Sequence, residues 1–247
     1  GTGRKPGPMN GERVSTGVPA FDELLGGGLE PGVITQIYGG PGSGKSVLCI
    51  IAAVSCLRSG KGVVFIDTEG FSIERFRQVA GDEAESLARD LILYEPHDFE
   101  QQGIMVAGIA RQVADGRIGL IVMDSATGLY RTQLDRGTDI MQRLSKQVIH
   151  LLGYARKYTI PVLITNQVYM DIQRNIFVGL GGTALAHISK VIVRVERLNG
   201  TRKAVLEKHR SRPGGGSFLF DIVEQGIAVR EHLEEKPGGA TRDTGSC

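Results

Sequence analysis

No run of the sequence is apolar for long enough to span a bilayer, and the N-terminus lacks the apolar core of a secretory signal. The expected compartment is therefore the cytoplasm, with no membrane partner. Cysteine is scarce and unpatterned. Cys49, Cys56 and Cys247 make an odd number without metal-ligand spacing. Cys49 and Cys56 lie seven apart in an apolar stretch, on one helix face, and read as buried reduced thiols rather than a disulfide. An excess of one charge is also missing. Lys and Arg number 29 against 27 Asp and Glu, a net +2, which excludes a strongly basic nucleic-acid coat. There is no internal repeat and no sign of a second domain.

What is present suits a globular chain. Hydrophobic residues make up 41% and charged residues 23% of 247, enough for a sizeable core in one large α/β domain or two small ones. Glycine is abundant, 35 residues, twice the usual ~7%, and concentrated in loops, where backbone approaches ligands. Basic residues cluster between Arg194 and Arg212: Arg194, Arg197, Arg202, Lys203, Lys208, Arg210 and Arg212 against Glu196 and Glu207. A solvated sheet edge and a functional patch are both open readings of that run.

Residues 1–12 and 234–247 are rich in Gly, Pro and charge and are expected to be flexible, with the folded core spanning 13–233. Met9 is a candidate native start. Within the core, apolar strands alternate with helices. Strands are expected at Val33–Tyr38, Gly62–Ile66, Leu91–Tyr94, Ile118–Met123 and Thr159–Thr165, and helices at Lys45–Arg58, Ile73–Val79, Glu100–Ala114 and Asp139–Tyr158. Continuous apolar strands between helices imply a mostly parallel sheet covered on both faces. After Gly182 the pattern changes to strands joined by short turns: Val191–Leu198, Ala204–Lys208, Phe218–Val223 and Ile227–Val229. The Asn199-Gly200 turn marks this part as an antiparallel extension.

Gly39-Gly40-Pro41-Gly42-Ser43-Gly44-Lys45-Ser46 fits G-x-x-x-x-G-K-[ST] and lies between a predicted strand and a predicted helix. Its glycines let backbone N–H groups turn toward phosphate oxygens, and the helix that starts there adds the positive end of its dipole. Lys45 would contact the outer phosphates and the Ser46 hydroxyl would ligate Mg²⁺. The ligand expected is ATP. Asp124, at the end of the strand Ile118–Met123, can hold Mg²⁺ through its water shell, or simply cap the following turn. Glu69, just after the strand Gly62–Ile66, is either a base for the attacking water or a solvated loop acid. Gln167, after the strand Thr159–Thr165, could sense the terminal phosphate, or be an ordinary loop residue.

Taken together these segments resemble the RecA-type ATPases, and within them the archaeal RadA/RadB recombinase group. The likeness is carried by Ser15-Thr16-Gly17, Phe21 to Gly28, the loop Gly39 to Ser46, Asp67-Thr68-Glu69-Gly70 with Glu74-Arg75, Leu120 to Ser125, Thr165-Asn166-Gln167-Val168, Gly181 to His187 and Glu207-Lys208-His209-Arg210. It runs in order from Val14 to Val229. It is closest to the RadB paralogues: the chain enters the ATPase core almost at once and shows no Phe-x-x-Ala segment upstream.

The resemblance implies a RecA-type fold and a recombinase paralogue that binds ATP with Mg²⁺ and DNA, with weak DNA-modulated hydrolysis. By it, Glu69 is the catalytic base, Arg75 packs on the adenine and Gln167 is a switch. Segments Arg131–Thr138 and Tyr169–Gly182 become DNA-facing loops. Within them Arg131, Arg174 and Phe177 would bind DNA, Arg174 contacting phosphate and Phe177 stacking on a base, a disordered surface connection being the other reading of the second segment. His187 would lie near a γ-phosphate across a subunit interface, a core histidine being the other reading. Lys208, with Arg210 on the same strand face, would reach a neighbour's ATP as a finger. Partners implied are single-stranded or branched DNA, further copies of the chain, the RadA recombinase and a Holliday-junction resolvase. Two other readings are a KaiC-like regulatory ATPase and a non-enzymatic ATP-gated accessory protein. Asp67-Thr68-Glu69-Gly70, where KaiC-type chains carry paired acids, favours the recombinase side.

Overall fold

A computed structural model describes residues 11–130 and 139–230, the side chains of 169–171 and 176–178 excepted. In chain order the elements are α1 (Pro19–Leu24), β1 (Ile34–Gly39), α2 (Lys45–Arg58), β2 (Gly62–Asp67), α3 (Ile73–Ala80), α4 (Ala84–Ala88), β3 (Leu91–Tyr94), α5 (Phe99–Gly108), α6 (Ala110–Val113), β4 (Ile118–Asp124), α7 (Asp139–Tyr158), β5 (Val162–Asp171), β6 (Ile176–Gly179), α8 (Gly182–Ile188), β7 (Val191–Leu198), β8 (Thr201–Lys208), β9 (Ser217–Val223) and β10 (Gly226–Arg230). The sheet runs β10-β9-β8-β7-β1-β5-β4-β2-β3, and β6 pairs with β5 off this path. Pairings from β7 through β1, β5, β4 and β2 to β3 are parallel, and β7 to β10 continue antiparallel. The expected parallel sheet with an antiparallel extension is the architecture observed.

The strand period of two explains how the sheet acquires two cores. Val63, Phe65, Leu120, Val122 and Leu163 pack on one face, against α2. Their neighbours Val64, Ile66, Ile121, Met123, Val162 and Ile164 pack on the other, with Leu144, Val148 and Leu151 of α7. Cys49 and Cys56 are free and buried in α2, as expected, while Cys247 lies outside the described residues. No helix among the described residues is long and apolar enough to cross a membrane.

Three boundaries differ from expectation. The helix expected over Glu100–Ala114 is two short helices meeting at Ile109, directly after Gly108, where helix propensity is weak. β8 starts at Thr201, since the hairpin pairs Leu198 with Thr201 as soon as the turn closes. The strand β5 does not stop at Thr165. It continues to Asp171 and returns as β6, with Val168 opposite Gly179 and Asp171 opposite Ile176. The segment Tyr169–Gly182 is thus largely a β-hairpin followed by α8, not an irregular loop, and its arms carry strand-favouring aromatic and β-branched residue types such as Val168, Tyr169, Ile176, Phe177 and Val178.

Candidate functional site

The loop from Gly39 to Ser46 leaves the C-terminal end of β1 and enters α2 through Gly44, the N-cap residue, at φ 105°. Gly42 also has positive φ, 70°, and both values favour glycine. A side chain on Gly39 would run into the Val195 carbonyl of β7, so glycine lets the strand and loop pass closely. The first N–H groups of α2, like those of any helix, have no intrahelical partner, and no side chain caps them. Lys45 donates its ammonium to the carbonyls of Gly39 at 2.8 Å and Gly40 at 2.9 Å. Burial pushes its pKa down, while Asp124 and Glu69 hold it up. The Ser43 hydroxyl oxygen is buried without a hydrogen-bond partner among the described residues. Orphan donors, a lysine within reach and a glycine-rich loop are what a polyphosphate requires.

A cleft of ≈ 460 Å³ opens here and brings together Lys45, Ser46, Glu69, Arg75, Asp124 and Gln167. Asp124 ends β4 and is only 3% exposed. Burial raises its carboxyl above the usual range, and hydrogen bonds from Ser46 and from Thr165, the latter at 2.6 Å, pull it back down. A buried carboxylate bonded to the hydroxyl that follows the loop lysine is a donor set suited to a hard divalent cation. Asp67 is also buried and raised by desolvation. It accepts from the backbone N–H groups of Glu69 and Phe71 at 3.1 and 2.5 Å, which fixes the turn that presents Glu69.

Glu69 is exposed in the cleft and accepts from the Gln167 amide at 2.7 Å. Gln167 lies inside β5 rather than after it, so its side chain is mounted on the strand that forms the hairpin. Behind it runs a buried polar chain. Thr127 accepts from the Gln167 N–H at 3.2 Å and donates to Asn166 at 2.8 Å. Asn166 donates to Gln36 at 3.0 Å, and Gln36 donates to Ser189 at 3.1 Å, beside the end of α8. Gln36, Thr127 and Asn166 escape sequence reasoning. Gln36 carries the one available signal, an amide inside the mostly apolar run Val33–Tyr38.

The remaining candidates, Arg75 excepted, lie apart from this cleft. Lys208 ends β8 and donates to the Ala186 carbonyl at 2.8 Å, next to His187. His187 is exposed on α8, which excludes the core-histidine reading. Arg210 does not share a strand face with Lys208, because β8 has already ended; it pairs instead with Glu30 at 3.1 Å. Arg75 donates to the carbonyls of Val223 at 2.6 Å and Glu224 at 3.2 Å, tying α3 to the β9–β10 turn. Arg174 sits in the exposed β5–β6 turn. Arg131, the segment Arg131–Thr138 and the Phe177 side chain lie outside the described residues. Much of the basic cluster is engaged in structure: Arg194 pairs with Glu196 and with Glu207, and Arg212 donates to the Glu23 carbonyl.

The arrangement matches known proteins over nearly the whole described fold. The Rad51 family model matches residues 11–229. The DNA repair and recombination protein RadB of Methanoculleus marisnigri is 59% identical over 221 residues, covering 89% of this chain and 99% of that protein. Its namesake in Methanococcoides burtonii is 45% identical over 220 residues, covering 87% and 97%. A crystal structure of the RadB recombinase superposes with a TM-score of 0.75 at 40% identity, covering 87% of this chain and 98% of that one. With its nucleotide-type loop, acidic strand ends and antiparallel extension in the expected order, the chain belongs to the Rad51 family and groups with its archaeal RadB members.

Proposed function

We propose that the chain is a recombinase paralogue of DNA repair and recombination that binds Mg²⁺–ATP in the cleft at Lys45 and uses it to control contact with DNA. The observation that carries this reading is the Gln167–Glu69 hydrogen bond. It joins the acid beside the phosphate loop to the strand whose continuation forms the β5–β6 hairpin.

In this reading Lys45 exchanges the Gly39 and Gly40 carbonyls for the outer phosphates, and the N–H groups of the loop and α2 take the remaining oxygens. Ser46 and Asp124 would hold Mg²⁺, which supplies charge neutralisation at the phosphates. Glu69 orients and deprotonates the attacking water. A terminal phosphate would compete with Glu69 for the Gln167 amide, and in this reading that competition passes to the strand that carries it. Arg75 offers its planar guanidinium to the base. Arg174, with Arg131 and Phe177, would meet single-stranded or branched DNA, whose phosphates attract the guanidinium groups in a salt-dependent way. Lys208 and His187, together on one exposed surface, would act on ATP only across an interface between copies of the chain. The RadA recombinase and a Holliday-junction resolvase are the proposed protein partners.

The test is ATP hydrolysis with and without single-stranded DNA, beside DNA binding at low salt. DNA that binds and changes the hydrolysis rate is the expected result. ATP binding without hydrolysis would leave an ATP-gated docking protein. Absence of DNA binding at low salt would overturn the recombinase reading.

A further inference from the structure

The antiparallel hairpin of β7 and β8 lies against the phosphate loop, and it brings two arginines there. Arg197 and Arg202 are directly opposite in the ladder. Arg202 donates its Nε to the Gly42 carbonyl at 3.0 Å, and its Cδ is 3.5 Å from where a side chain on Gly44 would begin. Arg197 Nη1 is 3.4 Å from the corresponding point on Gly42. Arg202 lines the nucleotide cleft. Arg197 lines a second cavity of ≈ 530 Å³, and the two cavities share Pro41 and Ser43 as a common wall. The loop is therefore flanked by a guanidinium on each side.

Like charges directly opposite on neighbouring strands destabilise a sheet. Neither arginine has an ion-pair partner among the described residues, while Arg194 on the same hairpin has two. Asp221, the acid whose carboxyl Arg202 helps to hold down, is itself paired with Arg230 at 2.7 Å. The hairpin thus holds a repulsive pair against a loop whose own donors also await an anion. A polyphosphate supplies the missing charge.

We propose that Arg202, backed by Arg197, binds the polyphosphate of the nucleotide within the same subunit, making the β7–β8 hairpin a second wall of the phosphate site. This rests on the nucleotide-binding reading above. Nε stays on Gly42, which fixes the guanidinium plane, and the terminal amino groups are left to make charge-assisted bonds to phosphate oxygens. An arginine that only braced the loop would serve every ligand equally. One that binds phosphate serves ATP more than AMP.

The experiment is displacement of a fluorescent ADP analogue by ATP, ADP and AMP from the full chain and from R202Q, R202K, R197Q and K45A. Thermal unfolding without nucleotide confirms that each variant folds. R202Q is expected to weaken ATP about tenfold and AMP less than threefold, with R202K intermediate. The loss should be the same at protein concentrations ten times apart, since the contact lies within one subunit. ATP affinity within twofold of the parent, or equal losses for ATP and AMP, would overturn the proposal. So would a loss seen only at high protein concentration. If R202Q does not fold, R197Q decides: weakening of ATP by about threefold supports the flanking pair and unchanged affinity sinks it. K45A separates the two levels of inference. If K45A loses ATP while R202Q keeps it, only the second wall is wrong; if K45A binds as tightly as the parent, the nucleotide reading itself fails.

Discussion

Gln167 donates its side-chain amide to Glu69 across 2.7 Å, although the two residues are 98 positions apart. One belongs to the turn after β2 and the other to the middle of β5. The bond sets where the Glu69 carboxylate points. Glu69→Gln should cut ATP turnover about 100-fold while ATP affinity stays within about twofold, the signature of a lost base rather than a lost binding contact. Gln167→Ala should cut turnover about tenfold by releasing the carboxylate, and should also blunt any response to DNA. Steady-state hydrolysis with and without single-stranded DNA measures both. Equal response to DNA in Gln167→Ala and parent would remove the coupling role.

Lys45→Ala should weaken ATP roughly 100-fold, since the ammonium proposed to hold the outer phosphates is lost from a part-buried site. The fold should survive, because among the described residues Lys45 hydrogen-bonds only to carbonyls of its own loop. Calorimetric titration and circular dichroism together check this.

Asp124 tests the electrostatics of the site. Burial raises its pKa in the folded chain above the unfolded value. For a carboxyl raised in this way, the favourable contribution is complete below the unfolded pKa and is lost as pH climbs through the folded one. Near neutral pH the ionised form therefore works against the fold until a cation offsets it. Asp124→Asn should raise the melting temperature without nucleotide by on the order of 2 °C and abolish the extra stabilisation that Mg²⁺ adds to ATP. Thermal scans at pH 5 and pH 8 extend the test: the parent should gain relative to Asp124→Asn at the lower pH.

Asn166 is the centre of the buried polar chain, with Thr127 on one side and Gln36 on the other. Asn166→Ala strands both partners in the core and should cost about 2 kcal/mol in urea unfolding, with the m-value unchanged. Asn166→Asp keeps the shape but replaces a donor with a charge, and should be worse.

The phosphate loop was legible because its chemistry is local: eight consecutive residues, flanked by a strand and a helix, carry both geometry and charge. The alternating sheet was legible for the same reason, since apolar runs report burial on both faces. What stayed hidden depends on register. Thr165-Asn166-Gln167 breaks the apolar run of β5 and looks like its end, yet those polar side chains are satisfied by Asp124, Thr127, Gln36 and Glu69, so the strand goes on. Lys208 and Arg210 looked like strand neighbours because the sequence does not mark where β8 stops. The Arg197–Arg202 pairing could have been counted outward from the Asn199-Gly200 turn. That the hairpin would lie on the phosphate loop could not.

The contact of Arg202 with Gly42 spans 160 positions. During synthesis the loop emerges long before the strand that braces it, so an early fragment carries the motif without its far wall. If Arg202 binds phosphate as proposed, nucleotide would favour the chain only after its last third has docked, and ATP would act as a seal on completed folding. Lesions in the C-terminal strands, far from the motif in sequence, should show first as poor retention of nucleotide rather than as loss of helix or sheet.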